Sequence, residues 1–148
     1  MDHEIDYQKT FAGRWICATL FGFSGAVNGA ACNYYFKWFS GPTDVVYIAV
    51  LGLVGGVATG LVAAGFVGRP GVKGWFLSLA TAIVCTSIGG GIGGSVFFGL
   101  LGFMGGVFSI VGILTRMETA LIWTASIAIT HLLIRWISTR HSCRFVGP

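Results

Sequence analysis

The chain has 148 residues, 55% of them hydrophobic and only 9% charged, with a formal net charge of +4 and a mean hydropathy of +0.82. A water-soluble domain carries charge on about a quarter of its residues, so nine Lys/Arg and five Asp/Glu exclude a soluble globule of this length and point to the bilayer as solvent. Most of the 24 glycines stand inside the apolar runs, which also excludes a flexible Gly/Ser linker protein.

The amino-terminal segment 1–13 is polar and opens acidic, with Asp2, Glu4 and Asp6. It has neither the basic start of a secretory signal nor the Arg-rich, acid-poor composition of a transit peptide, so targeting information is expected to be internal. Arg14 and Lys37 bound the first uncharged run, and Asp44 and Arg69 the second. A bilayer core about 30 Å thick takes roughly 20 helical residues, so each run predicts one span. Gly41, Pro42, Thr43 and Asp44 read as a turn and N-cap with a carboxylate at the positive end of the second helix. The third run, 74–115, is about two spans long and predicts a hairpin. Its turn is expected at 89–95, where Gly89, Gly90, Gly91, Gly93 and Gly94 concentrate backbone freedom. The fourth run lies between Glu118 and Arg135 and extends to Ile137 if Arg135 snorkels. The expected fold is therefore an all-α membrane protein: a glycine-zippered bundle of four core transmembrane helices over 14–118, a fifth helix at 119–137 and a basic tail at 138–148.

Aromatic placement supports these spans. Trp15, Trp38, Trp75, Trp123 and Trp136, with Tyr34, Tyr35 and Tyr47, fall near proposed span ends as an interfacial belt requires, whereas Phe97, Phe98, Phe103 and Phe108 sit mid-run. Pro42 and Pro70 lie in the short loops and Pro148 ends the chain. Five crossings put Lys9, Arg14, Arg69, Lys73 and Arg116 on one side and Lys37, Arg135, Arg140 and Arg144 on the other, a balance that sets no orientation. If the long run crossed only once, the carboxy-terminal segments would change sides and the balance would become seven against two, with Arg116 in the minority. Five crossings are preferred, because so long an uncharged stretch is hard to leave in an interface.

In the second span Gly52, Gly56, Gly60, Ala64 and Gly68 recur every fourth residue and make one groove. Lipid does not drive helices together by the hydrophobic effect, so close backbone approach through small residues is the substitute. Ala18, Gly22, Ala26 and Ala30 repeat the device in the first span, Ser78, Ala82, Thr86 and Gly90 in the third, and Gly99, Gly102, Gly106 and Ser109 in the fourth. The fifth has no glycine and is expected to pack peripherally or against a partner. A faint repeat relates 51–57 to 101–107, to be weighed against a glycine-rich apolar sequence matching itself.

Reactive groups are scarce. None of the five carboxylates falls in the middle of a span, which argues against a proton-coupled pump. His131 is the one histidine in a span, and a bis-imidazole haem would need another; the simpler reading is a polar residue bonded to backbone or headgroup. Asn28 and Asn33 are expected to make interhelical hydrogen bonds. Cys17, Cys32, Cys85 and Cys143 have no metal-ligand spacing and read as small fillers. The glycines of 89–94 lack the Lys and Ser/Thr of a phosphate loop. No catalytic residue, metal or cofactor is expected, and no nucleic-acid partner. Arg69, Lys73, Arg140 and Arg144 are candidates to hold anionic phospholipid headgroups, cardiolipin among them, or serve as ordinary span flanks.

These glycine-lined spans, carried by Val57 to Gly68, the loop Arg69, Pro70, Gly71, Val72, Lys73, the run Trp75 to Gly94 and the segment Leu114, Thr115, Arg116, Met117, Glu118, together resemble the mitochondrial inner-membrane translocase family, Tim, and its relative, a four-helix accessory membrane subunit of respiratory complex I. The resemblance covers about 14–118. It implies a mitochondrial inner-membrane location and a place among other membrane subunits. Arg69 and Lys73 lack the acidic partner that translocase members carry near this loop, and the fifth helix lies outside the family core; both favour the accessory role. The expected function is thus a non-catalytic subunit that stabilises a larger membrane complex. A translocase subunit, or a small oligomeric channel or transporter with a path along Asn28, Asn33 and Thr86, is the alternative. Enlarging Gly56 or Gly60 to Leu is expected to disrupt assembly, and His131→Ala to be mild.

Overall fold

The computed structural model describes residues 10–37 and 41–145, and for 42, 43, 97, 98, 105 and 141–145 the backbone alone. Lys9, Trp38 and Pro148 lie outside the described residues, as do the side chains of Phe97, Phe98, His141, Cys143 and Arg144. The described chain is helical, without strands: α1 Phe11–Phe36, α2 Pro42–Ala63, α3 Gly71–Val107, α4 Ser109–Thr115 and α5 Met117–Phe145. Four helices are long and apolar enough to cross a membrane: Phe11–Phe36, Asp44–Ala63, Gly71–Val96 and Met117–Arg140. The protein is an all-α, multi-pass membrane protein.

Each terminus has a local cause. Thr10 caps α1 by accepting a hydrogen bond from the Gly13 N–H (3.1 Å), and Lys37 ends it in a left-handed conformation, φ 49°. At α2 the helix begins at Pro42, and Asp44, in its first turn, accepts the Gly41 N–H at 2.7 Å. That places a carboxylate at the positive helix end. α2 stops at Ala63, and the following loop turns through Gly65 and Gly68 at φ 93° and 83°. Ala64 and Gly68, expected to continue the α2 groove, therefore stand in the loop: a helix cannot run through two left-handed residues.

α1 and α2 meet backbone to backbone. A Cβ on Gly56 would lie 2.9 Å from the Gly22 Cα, one on Gly60 would lie 2.7 Å from the Ala18 Cα, and one on Gly22 would meet Val57 Cγ2 at 2.7 Å. A Cβ on Gly25 or Gly52 would run into the carbonyl of the other, and the one on Gly52 would also reach the Ala26 nitrogen at 3.2 Å. Gly55 and Gly89 bring α2 and α3 together in the same way.

The expected turn at 89–95 is not where the chain reverses. α3 continues through these glycines and breaks at Gly99, φ 53° and ψ −130°, a conformation reserved in practice for glycine. The arm after the break packs back along α3, with Gly102 against Gly94, Phe103 on Gly91 and Gly106 against Gly90. Gly90, Gly91 and Gly94 are taken up by these contacts, and Gly89 and Gly93 by α2 at Gly55 and Leu51. The arm reaches as far as Thr86, where Ser109 Oγ donates to the backbone carbonyl at 3.4 Å. That is about 20 Å of helix rise below Gly99, short of a full crossing.

The chain then turns at Arg116 (φ −120°, ψ 133°), whose guanidinium donates to the Tyr35 carbonyl (3.0 Å) and lies over Phe36. From there α5 runs antiparallel to α1, pairing Ser126 with Ser24 and Asn28 and bringing Ile134 into one apolar cluster with Cys17. It also runs antiparallel to α3, pairing Trp123 with Thr86 and His131 with Ser78. A complete crossing by the arm would have made α5 parallel to α3. The preferred five crossings thus become four long helices and one short arm that enters and leaves at the same end. Among the described residues Arg14, Arg69, Lys73, Arg135 and Arg140 then gather at one end of the bundle, and Lys37 and Arg116 at the other.

Candidate functional site

Two groups of buried polar side chains tie the helices together, both centred on α5. In the first, Asn28 Nδ2 of α1 donates to the Ser24 carbonyl (2.7 Å) and to Ser126 Oγ (2.9 Å), and Ser24 Oγ donates to Ser126 Oγ (3.1 Å). Ser126 passes its own proton to the Trp123 carbonyl at 2.8 Å. Trp123 Nε1 donates to Thr86 Oγ1 of α3 at 2.9 Å. Trp123 and Ser126 are three residues apart and so share a helix face. That spacing lets one turn of α5 clamp α1 and α3 together.

Trp123 corrects an expectation. It was assigned to the interfacial belt, yet it is only 5% exposed and packs with Cys32, Ala82 and Ile113. Its one donor is satisfied inside the bundle, which lets an indole go where its apolar area is best buried. Trp15, Trp75 and Trp136 remain exposed.

Beside this clamp the helices form a partly open cavity of about 570 Å³, lined by residues of every helix. Asn28, Thr86 and Trp123 supply its polar edge, and glycines of α1, α2 and both parts of α3 form much of the wall. Asn33, expected on the same path as Asn28, does not line it. Five residues along a helix turn about 140°, so the two asparagines cannot share a face.

The second group surrounds His131, which is completely buried. Its Nδ1 lies 2.7 Å from Ser78 Oγ and accepts the Gly68 N–H at 3.3 Å, and its ring stacks on Trp75 at 4.1 Å. The imidazole fastens the α2–α3 loop and the start of α3 to α5. It is a latch within the bundle, whereas Arg135, one turn further along α5, is exposed.

The other residues singled out in sequence fall as follows. Gly22, Ala26, Gly52, Gly56 and Gly60 are at the α1–α2 contact; Gly90, Gly102 and Gly106 are where the arm meets α3. Ala64 packs against the cluster of Cys17, Ala63, Val67, Cys85 and Ile134. Arg69 Nε is bonded to the Gly65 carbonyl (2.8 Å), Lys73 is exposed, and Arg140 lies over the Trp136 ring at 3.9 Å. The structure brings these three cations to one end without joining them in a common contact. Cys17, Cys32 and Cys85 are buried free thiols, and no group of three or more His, Cys, Asp or Glu with metal-binding geometry occurs among the described residues. Sequence reasoning passed over Ser24, Ser126, Gly25 and Gly29. The four-residue spacing of Gly25 and Gly29 was a usable signal.

Compared with family models, curated proteins and solved structures, the chain matches none.

Proposed function

We propose that this protein is a non-catalytic subunit of a larger membrane complex, which it stabilises by presenting a preassembled helical bundle. One observation carries the reading: the polar side chains of the spans are used to bind helix to helix, Asn28 and Ser24 to Ser126, Thr86 to Trp123 and Ser78 to His131. The glycines add backbone contacts between helices, a glycine zipper in which packing replaces the missing hydrophobic drive. What the bundle offers outward is apolar, including Phe23, Val62, Phe76, Leu100, Leu101 and Leu121. Such a surface suits lipid or the helices of a larger assembly.

The likeness of the loop 69–73 and the glycine-lined spans to the Tim family and the complex I accessory subunit makes a respiratory complex of the mitochondrial inner membrane the proposed setting. The exposed Lys73, with Arg140 at the same end, would meet anionic headgroups there. Mild solubilisation followed by native electrophoresis tests the reading. Co-migration with a large assembly, with subunits identified by mass spectrometry, is expected; migration as a free small protein would overturn it.

A further inference from the structure

The cavity beside the α5 clamp has a chemistry that membership of a complex does not explain. Asn28 lines it and is only 8% exposed. Its amide orientation is fixed, because the Ser24 carbonyl at 2.7 Å can only accept and must therefore face the NH2 group. Both amide hydrogens are used, on Ser24 and Ser126, whereas Oδ1 accepts no hydrogen bond from the described residues. Nor is Oδ1 sealed in: the one fully enclosed polar side-chain atom without a partner among the described residues is His131 Nε2. Asn28 thus lines the cavity with an acceptor left unused. Thr86 lines the same cavity; its Oγ1 accepts from Trp123, and no acceptor among the described residues takes its own hydrogen. The cavity thus holds an unused amide acceptor on α1 and an unused hydroxyl donor on α3; the hydroxyls of Ser24, Thr59 and Ser109 also line it, each with its proton already given to a protein acceptor, and the rest of the wall is mostly glycine and hydrocarbon.

We infer that this cavity binds a neutral lipid alcohol, a long apolar chain ending in one hydroxyl group. A hydroxyl is a donor and an acceptor on one atom. It can give its proton to Asn28 Oδ1 and receive that of Thr86, completing both. No charged residue among the described residues lines the cavity, so a phosphate or carboxylate head would lose its hydration with no countercharge in return. A ketone or ester offers acceptors alone and leaves Asn28 unpaired; an alkane satisfies neither group. The volume, about 570 Å³, is that of a small-molecule site. Sites with committed polar partners reject analogues lacking the matching group far more strongly than apolar pockets reject a change of shape.

The test uses the full-length protein in nanodiscs and three photoactivatable probes that differ only at the head: a diazirine-bearing hexadecanol, its methyl ether and the parent alkane. Labelled positions are mapped by mass spectrometry. The alcohol is expected to label cavity-lining peptides around Cys32, Cys85 and Ile127 at least tenfold more than the other two. Asn28→Leu and Thr86→Val should abolish that preference, so that alcohol and ether label these peptides equally in each variant. Because both variants also loosen the clamp, the comparison of probes on the unaltered protein decides by itself. Equal labelling by the three probes, or alcohol labelling confined to outward residues such as Phe76 and Leu79, overturns the site. So does equally strong labelling by the corresponding carboxylate.

Discussion

His131 and Gly56 show how differently a residue can matter in this bundle. His131→Ala looks mild for a polar residue near an interface, but the side chain is fully buried, bonded to Ser78 and the Gly68 N–H, and stacked on Trp75. Removing it leaves a void and two unpaired groups, a loss of about 2–3 kcal/mol. His131→Phe keeps the stack and forfeits the hydrogen bonds, so it should lose about half as much. Thermal melting of the two variants in one detergent checks the order; equal melting temperatures for His131→Ala and the unaltered protein would refute the latch. At Gly56 the argument is volume alone. The first added carbon already meets the Phe21 carbonyl and the Gly22 Cα, and Leu adds three more, so Gly56→Leu should cost about 3 kcal/mol and separate α1 from α2. Thermal melting in the same detergent checks this: Gly56→Leu is expected to melt well below the unaltered protein, and an unchanged melting temperature would refute the contact.

At the scale of the elements, the hairpin in the third run was legible from the absence of charge over 74–115, but its turn was not. Glycine answers two structural needs, a left-handed backbone and close helix approach, and composition does not separate them. Gly89, Gly90 and Gly94 serve the second need and Gly99 the first. Gly99 also stood in the sequence as a packing residue at mixed spacing, although a Cβ there would meet open space. Its obstacle is φ 53° with ψ −130°. Gly99→Ala should therefore destabilise the hairpin by about 1–3 kcal/mol through backbone strain, with no clash. A cysteine pair at 91 and 103 should cross-link less efficiently in Gly99→Ala, whereas Gly112→Ala, also in open space but without positive φ, should leave cross-linking unchanged. The cavity partners were half legible. Asn28 and Thr86 stood out as polar groups in apolar runs, but Ser24 and Ser126, small and common, gained meaning only when α5 paired them across about a hundred residues.

For the whole molecule, antiparallel packing of α5 on α1 settles a balance of charge that sequence left even. With Arg14, Arg69, Lys73, Arg135 and Arg140 at one end and Lys37 and Arg116 at the other, the positive-inside rule puts the richer end in the cytoplasm, or its organellar equivalent, and the poorer end across the membrane. Single cysteines at positions 73 and 140 should react with a membrane-impermeant maleimide from the same side, and a cysteine at 37 from the other. Labelling of 140 and 37 from one side would restore the five-crossing arrangement. The all-α membrane class itself follows from mean hydropathy and the spacing of charges, because a bilayer leaves the backbone few other solutions.

The short arm beyond Gly99 bears on how the protein is made. Residues 100–115 are interrupted at Phe108 and end at the turn of Arg116, and their glycine contacts are with α3. Such a segment is apolar enough to enter lipid by itself, but its helix is interrupted and its glycines have no neighbour until α3 is in place. During synthesis α3 must enter the bilayer first, and the arm folds down along it afterwards. Membrane integration of this chain is therefore ordered by its packing: α3 is the template, and α5 closes the bundle over both.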